Sequence, residues 1–231
     1  MAGSTQTRSI AAQSNGTSYP LFIYLPPGSS GALGAKLPTV YLLDGESRFQ
    51  SLVDIVEALH AQVMIVAIGN EALRARDYVP ANVCTPGGGG EAAFLQFIAG
   101  ELVPFVEATF ASDPKRRILL GHSHGGSFVL YALFNEAPAS RLFGAYLASD
   151  ASIDCMSATV YGWESGYAGA NTALPVRLHV SYAANLGNVA FAQQIDGRHY
   201  GGLKMVAQAY GGGHIGMIPA AFADALTFAL A

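Results

Sequence analysis

A glycine-flanked serine in the middle of the chain has the surroundings of a nucleophile. Residues 121–125 read Gly-His-Ser-His-Gly, which matches the pattern Gly-x-Ser-x-Gly with Ser123 at its centre. The apolar run at residues 118–120 is typical of a buried parallel strand, and apolar residues at helical spacing follow from Phe128. Strand, sharp turn and helix in this order indicate a nucleophile elbow; a chance glycine-rich turn is the alternative. Side chains at 121 or 125 are expected to strike the adjoining strand or helix.

A serine hydroxyl is a weak nucleophile at neutral pH and needs a base within hydrogen-bonding distance. Of the six histidines, His214 is the candidate, because it follows the last predicted strand, where this topology carries its catalytic histidine. His122 and His124 flank the serine and are expected to point elsewhere. A solvent-exposed loop histidine is the alternative interpretation of His214.

Backbone amides near the serine are candidates to stabilise the negative oxygen that forms when an ester carbonyl is attacked. The N–H of His124 lies at the start of the helix that follows Ser123 and is one candidate. The second is expected in the turn after the strand that ends at Leu43, at the N–H of Glu46. The four glycines at 87–90 resemble a glycine-rich oxyanion motif, but they do not follow the strand that ends at Leu43. They are therefore interpreted as a flexible loop.

Apolar strands alternate with helical segments along the chain, which predicts an α/β fold with a mostly parallel central sheet and helices on both faces. The 231 residues are expected to form a single domain, with residues 1–18 as a polar lead-in in which an edge strand starts near residues 9–12. Strands are predicted at 19–25, 39–43, 63–68, 118–120, 143–147, 176–180 and 205–210. Helices are predicted at 49–60, 91–110 (kinked by Pro104), directly after the elbow, at 188–204 (interrupted by Gly197) and at 219–230. Surface loops are expected at 29–36 and 74–90, and residues 151–172 are expected to be irregular.

The composition argues against several classes of protein. Hydrophobic residues make up 51% and charged residues 12%, which excludes disorder. The net charge of −4 gives no reason to expect nucleic acid or an anionic membrane as a partner. No apolar run is expected to reach membrane-spanning length, and the first residues lack the apolar core of a signal peptide. The expectation is a soluble protein, either cytoplasmic or exported with its signal already removed; the oligomeric state is left open.

Several motifs besides the elbow resemble the putative-esterase branch of the α/β-hydrolases, which includes S-formylglutathione hydrolases, feruloyl and acetyl esterases, siderophore esterases and mycolyltransferases. They are residues 41–45 (Tyr-Leu-Leu-Asp-Gly), 74–80 (Arg-Ala-Arg-Asp-Tyr-Val-Pro), 90 with 94–97, 101–104 (Glu-Leu-Val-Pro), 117–126 and 212–214 (Gly-Gly-His). The resemblance covers most of the chain from about Tyr19, and the second and fourth motifs are most similar to siderophore-esterase and small carboxylesterase members. It implies an α/β-hydrolase fold and ester hydrolysis through an acyl-serine, with no metal or cofactor.

The sequence departs from this family at the catalytic acid. The family's acid usually follows the strand that ends here near Ser181, yet residues 182–188 contain no carboxylate. Asp150, directly after the strand that follows the elbow helix, is the preferred candidate, because some α/β-hydrolases carry their acid there. The rival is a Ser–His dyad in which Asn185 or a backbone carbonyl orients His214.

The leading hypothesis is a serine carboxylesterase for a small-molecule ester, in which Ser123 attacks and His214 transfers the proton. Acyl transfer to an alcohol uses the same acyl-enzyme, and a non-catalytic binding module on the same fold is the third hypothesis. Arg74 and Arg76 are candidates to meet a carboxylate or catecholate of the substrate, and Trp163 is a candidate to wall its pocket. Bracing of the loop and packing over the core are the alternatives for these side chains.

The two cysteines match no metal-binding or redox spacing. Cys84 and Cys155 both lie in loops that follow strands, and such loops emerge at the same edge of a parallel sheet. A disulfide between them is therefore expected, and two free thiols are the alternative.

Overall fold

An eight-stranded sheet runs through the part of the chain that the computed structural model describes, residues 3–29 and 35–231. Its strands are β1 (Ser4–Ala11), β2 (Ser18–Leu25), β3 (Leu37–Leu42), β4 (Met64–Ile68), β5 (Ser112–His122), β6 (Ala145–Ser149), β7 (Arg177–Tyr182) and β8 (Lys204–Ala209). They lie in the order β1-β2-β4-β3-β5-β6-β7-β8. β1 and β2 run antiparallel to their neighbours, and the other strands are parallel.

The helices connect the parallel strands. They are α1 (Gly45–Ala58), α2 (Arg74–Tyr78), α3 (Glu91–Phe97), α4 (Val103–Thr109), α5 (His124–Asn135), α6 (Ser157–Ala170), α7 (Leu186–Gly197), α8 (Gly213–Gly216) and α9 (Ile218–Leu230). Short 3₁₀ turns cover Glu71–Leu73 and Pro138–Ser140, and a π-helical turn covers Ile98–Leu102.

Helices cover both faces of the sheet, because successive residues of an apolar strand point to opposite faces. Tyr41 of β3 packs into the core that includes residues of α3 to α7, whereas its neighbour Leu42 belongs to the core that includes residues of α1 and α9. The predicted α/β architecture with a mostly parallel sheet is confirmed.

The expectation of irregular structure at residues 151–172 is wrong, because Ser157–Ala170 forms α6. The buried face of this helix consists of Val160, Glu164 and Tyr167, which have helical spacing. A carboxylate occupies the middle of that face and three exposed glycines interrupt the opposite one, so the sequence shows no apolar stripe. Glu164 is tolerated there because Arg198 donates to both of its oxygens at 2.9 Å.

Pro104 affects its helix in a different way from the predicted kink. The segment predicted as one helix at 91–110 consists of α3, the π-helical turn Ile98–Leu102, and α4, which begins one residue before Pro104. Proline lacks the N–H that an α-helical hydrogen bond requires, and a widened turn before it accommodates this loss.

One stretch, Glu91–Thr109, is long and apolar enough to cross a membrane by length and composition alone, contrary to the expectation from the sequence. Its side chains Phe94, Ile98, Leu102 and Val106 are buried in the hydrophobic core. One face of this stretch is thus packed against the sheet side of the molecule.

The remaining boundaries differ from the predicted ones by a few residues. The edge strand begins at Ser4, earlier than expected, and pairs along its length with β2. The predicted loop at 74–90 contains the short helix α2, and the helix predicted at 188–204 ends at Gly197. Of the loop expected at 29–36, residues 30–34 lie outside the described residues.

The expected disulfide is confirmed. Cys84 and Cys155 are bonded, with their Cα atoms 5.3 Å apart and a sequence separation of 71. The bond joins the loop after α2 to the loop between β6 and α6, so it fixes two loops that emerge beyond the carboxyl ends of the strands.

Replacing both cysteines by serine is expected to lower the free energy of unfolding by about 2–4 kcal/mol, because the bond restricts the unfolded chain across a separation of 71 residues. Urea unfolding of the wild type and the double variant measures the difference. Reductant should reproduce the loss in the wild type and leave the double variant unchanged. Equal stability of the wild type with and without reductant would contradict this expectation.

Candidate active site

Ser123 lies between β5 and α5 in a backbone conformation that residues other than glycine rarely adopt, with φ 61° and ψ −122°. Its N–H donates to the carbonyl of Ser149 on the neighbouring strand, at 2.9 Å. Its carbonyl accepts from the N–H of Ser127, at 3.0 Å. The turn is therefore held from β6 on one side and from α5 on the other.

Two glycines allow α5 to approach the sheet this closely. A Cβ atom at Gly121 would overlap the carbonyl of Gly125, and one at Gly126 would lie 2.8 Å from the carbonyl oxygen of Ser149. The expectation for position 125 is wrong, because a Cβ atom there would meet Asp44 at 3.4 Å, an ordinary contact distance. The requirement for a small residue falls on Gly121 and Gly126.

This difference predicts opposite outcomes for two neighbouring substitutions. Gly126→Ala is expected to lower the free energy of unfolding by about 1–3 kcal/mol, because its methyl group must displace main-chain atoms of β6. Gly125→Ala should change it by less than about 1 kcal/mol, since its contacts are ordinary. Urea unfolding of both variants tests the pair. Equal losses would show that the close approach at position 126 is not what constrains the turn.

His214 and Asp150 form a hydrogen-bonded pair at the same edge of the sheet. Asp150 follows β6, is buried, and its Oδ2 lies 2.6 Å from Nδ1 of His214. Its other oxygen accepts from the N–H of Ala183 at 3.2 Å. With Nδ1 as the donor, Nε2 of His214 is free to accept a proton. His214 stands in α8, after Gly212 and Gly213, whose positive φ angles of 91° and 68° form the turn out of β8.

His122 does not point away from the site, contrary to expectation. Its ring packs against the ring of His214 with centroids 4.4 Å apart, and its Nδ1 lies 3.2 Å from Oγ of Ser149. Burial lowers the pKa of His122 to about 3, and the positive charges of His214, Arg48 and Arg74 act in the same direction. His122 is thus a neutral, buried ring that supports one face of His214.

Ser152 is a residue of the site that the sequence analysis missed. Its Oγ lies 3.3 Å from Oγ of Ser123, and its N–H donates to Oγ of Ser127 at 2.9 Å. Among the described residues no hydrogen bond joins Oγ of Ser123 to the ring of His214. The signal in the sequence is only that Ser152 stands two residues after Asp150, in a loop at the same edge.

The two candidate oxyanion amides lie in the first turns of two helices that follow neighbouring strands. The N–H of His124 opens α5, and the N–H of Glu46 is in the first turn of α1, where a helix offers no internal acceptor. The turn before α1 lies next to the elbow, since the N–H of Leu43 donates to the carbonyl of Leu120 at 3.0 Å.

The side chain of Arg74 is held by Asp44 and by the main chain at His122. Its Nε and Nη2 donate to the two carboxylate oxygens of Asp44 at 3.1 and 3.2 Å, and Nη2 also lies 3.4 Å from the carbonyl of His122. The N–H of Asp44 donates to the hydroxyl of Tyr78 at 3.2 Å. Burial raises the pKa of Asp44 and Arg74 opposes this effect. Arg74 therefore fixes the left-handed turn at Asp44, one residue before α1.

Other candidates are held elsewhere in the described structure. Arg76 donates to Asp77 at 2.7 Å and to the hydroxyl of Tyr19 at 2.9 Å, which are the contacts of the loop-bracing alternative. Trp163 packs edge-on against Tyr131, which lies about two turns along α5 from Ser123. Asn185 accepts from the N–H of Asn188 at 3.2 Å and caps α7, and it makes no hydrogen bond to His214.

The strand order, with a serine elbow after β5 and a histidine after β8, is that of the α/β-hydrolase fold. A model of the family described as putative esterase matches residues 12–148, and the chain belongs to this family.

Curated relatives include two siderophore esterases. The ferri-bacillibactin esterase BesA of Bacillus subtilis is 30% identical over 174 residues, which are 64% of this chain and 58% of the relative. The siderophore triacetylfusarinine C esterase of Aspergillus fumigatus is 35% identical over 133 residues, which are 51% of this chain and 44% of the relative. The chain thus spans about half the length of these relatives.

A solved structure of similar fold is an IroE-like serine hydrolase from Shewanella oneidensis. It superposes with a TM-score of 0.86 and 26% sequence identity, and the match covers 96% of this chain and 79% of the other.

Proposed function

We propose that the chain is a serine esterase in which Ser123, His214 and Asp150 form the catalytic triad. The observation that carries the proposal is the 2.6 Å hydrogen bond between Asp150 Oδ2 and His214 Nδ1, beside the elbow that presents Ser123. In this proposal Asp150 takes the place of the acid that residues 182–188 lack. That missing carboxylate was the one feature that favoured a non-catalytic binding module.

The mechanism follows from these positions. Ser123 Oγ attacks the ester carbonyl carbon while Nε2 of His214 takes the hydroxyl proton, and Asp150 stabilises the imidazolium that results. The N–H groups of His124 and Glu46 donate to the carbonyl oxygen as it becomes negative. The ester C–O bond then breaks, and His214 returns the proton to the departing alcohol. Water repeats the sequence on the acyl-serine and releases the acid.

The hydroxyl of Ser123 lies 3.3 Å from that of Ser152, and the reaction requires that it instead donate to Nε2 of His214. Catalytic hydrogen bonds are often long in the absence of substrate and shorten when it binds. His122 keeps the imidazole of His214 in place during this step, since the two rings are packed at 4.4 Å.

We propose a siderophore-type ester as the substrate class. The proposal rests on the names of the two curated relatives, a ferri-bacillibactin esterase and a triacetylfusarinine C esterase. Arg74 is partly committed to the protein, because its Nε and Nη2 donate to the carboxylate of Asp44; the prediction that it also meets an anionic group of the substrate would rest on its remaining donors.

Ser123→Ala is expected to remove essentially all hydrolysis of a short-chain nitrophenyl ester and of a trilactone siderophore, because the attacking oxygen is lost. Ser4→Ala, an exposed serine on β1 at the far edge of the sheet, is the matched control and should keep full activity. Retention of a tenth of the wild-type kcat by Ser123→Ala would exclude Ser123 as the nucleophile. An added alcohol acceptor in the same assay separates hydrolysis from acyl transfer by its products.

Asp150→Asn is expected to lower kcat by about 10³-fold or more, because the amide cannot stabilise the imidazolium and favours the wrong tautomer of His214. Asn185→Ala removes the cap of α7 and should lower kcat by less than about tenfold. Steady-state kinetics of the two variants compares the triad with the dyad. A loss below tenfold for Asp150→Asn would contradict the triad.

A further inference from the structure

A cationic cavity lies at the opposite edge of the sheet from Ser123, where the parallel strands begin. It has a volume of about 520 Å³, and its lining includes residues at or near the starts of β3, β5, β6, β7 and β8. The cationic residues of its lining are Lys115, Arg116, Arg117, Arg177 and Lys204. No Asp or Glu side chain is among the described residues that line it.

This concentration of positive charge is unusual for the chain. The sequence has 12 lysines and arginines against 16 aspartates and glutamates, so five of its 12 cationic residues line one cavity of an acidic protein. Arg117 is paired with Glu107, which leaves four of the five cationic side chains without a carboxylate partner among the described residues.

Two of the arginines are held in place by the protein. Arg117 donates to Glu107 at 2.6 Å and to the carbonyl of Leu142 at 3.1 Å. Arg177 donates to the carbonyl of Phe228 at 3.1 Å, in the last turn of α9, and lies 5.3 Å from the centre of the Phe228 ring. These side chains form a fixed wall, because Arg117 has two hydrogen-bond partners and Arg177 contacts both the carbonyl and the ring of Phe228.

The other three cationic side chains are exposed and make no ion pair with the described residues. Lys204 of β8 is the register partner of Arg177 on β7. Like charges in directly neighbouring positions of a sheet repel each other, and this repulsion is relieved when an anion lies between them.

We propose that this cavity is a binding site for a small, multiply charged oxyanion that carries phosphate or carboxylate groups. Its volume lies within the range of about 300–1,000 Å³ that is usual for ligand sites. The guanidinium of Arg116 offers paired donors to two oxygens of such an anion, and the ammonium groups of Lys115 and Lys204 add mobile point charges. The site is separate from the proposed esterase site, because Ser123 stands at the other end of β5.

The probes are inorganic pyrophosphate and citrate, and binding is measured by isothermal titration and by thermal unfolding. The protein used is Ser123→Ala, because this variant excludes any contribution from turnover. Saturable binding by either probe is expected, with a rise in Tm. Arg116→Gln/Lys204→Gln should weaken that binding by at least about tenfold. Arg8→Gln, which removes an exposed charge from β1 at the far edge of the sheet, is the matched control and should bind like the parent.

Three outcomes would overturn the proposal. One is that neither pyrophosphate nor citrate binds saturably. This measurement is made at an ionic strength at which added sodium chloride alone does not change Tm. Another is that the parent and Arg116→Gln/Lys204→Gln bind equally well. Circular dichroism checks that this variant folds, and Lys115→Gln/Arg116→Gln serves as a second variant. The third is binding of an acidic peptide where neither small anion binds, which would assign the surface to a protein partner.

Discussion

The backbone of Ser123 keeps a conformation that costs on the order of 1–3 kcal/mol, and the surrounding fold has to compensate for it. The compensation comes from hydrogen bonds to Ser149 on β6 and from Ser127 on α5, and from the close approach of α5 to β6 at Gly126. The bond to Ser149 and the approach at Gly126 depend on β5 and β6 being adjacent and parallel, whereas the bond from Ser127 belongs to the first turn of α5. The central sheet therefore positions the serine as well as forming the core.

A second set of buried contacts positions the turn on the other side of the elbow. Asp44 adopts a left-handed conformation between β3 and α1, with φ 56°, and its carboxylate is held by both forked donors of Arg74. Arg74 also approaches the carbonyl of His122, and Tyr78 accepts from the N–H of Asp44. The turn before α1 and the end of β5 are thus tied to each other through side chains of α2. Arg74, which the sequence offered either as a substrate contact or as a brace of its loop, here makes the contacts of a brace.

The sequence predicted the parts of the site that depend on local pattern or strand order. The elbow, His214 and Asp150 follow strands, and the parallel sheet brings all strand ends to one edge. What it could not predict depends on side-chain direction. The ring of His122 turns under His214, Oγ of Ser152 meets Ser123, and neither direction is encoded in spacing. Helix α6 escaped prediction because Glu164, neutralised by an arginine 34 positions later, occupies a buried position that the pattern reserves for an apolar residue.

The position of Asp150, the proposed acid, follows from the register of two neighbouring strands. Ser149 at the end of β6 is the register partner of Ser181 on β7, and the N–H of Asp150 donates to the carbonyl of Ser181 at 2.6 Å. The residues after these two strands therefore stand side by side at the edge where His214 lies. In this chain the loop after β7 contributes a backbone donor, the N–H of Ala183, to the carboxylate of Asp150. The loop expected from the family resemblance to carry the acid thus supplies instead a backbone donor to Asp150, the proposed acid on the neighbouring strand.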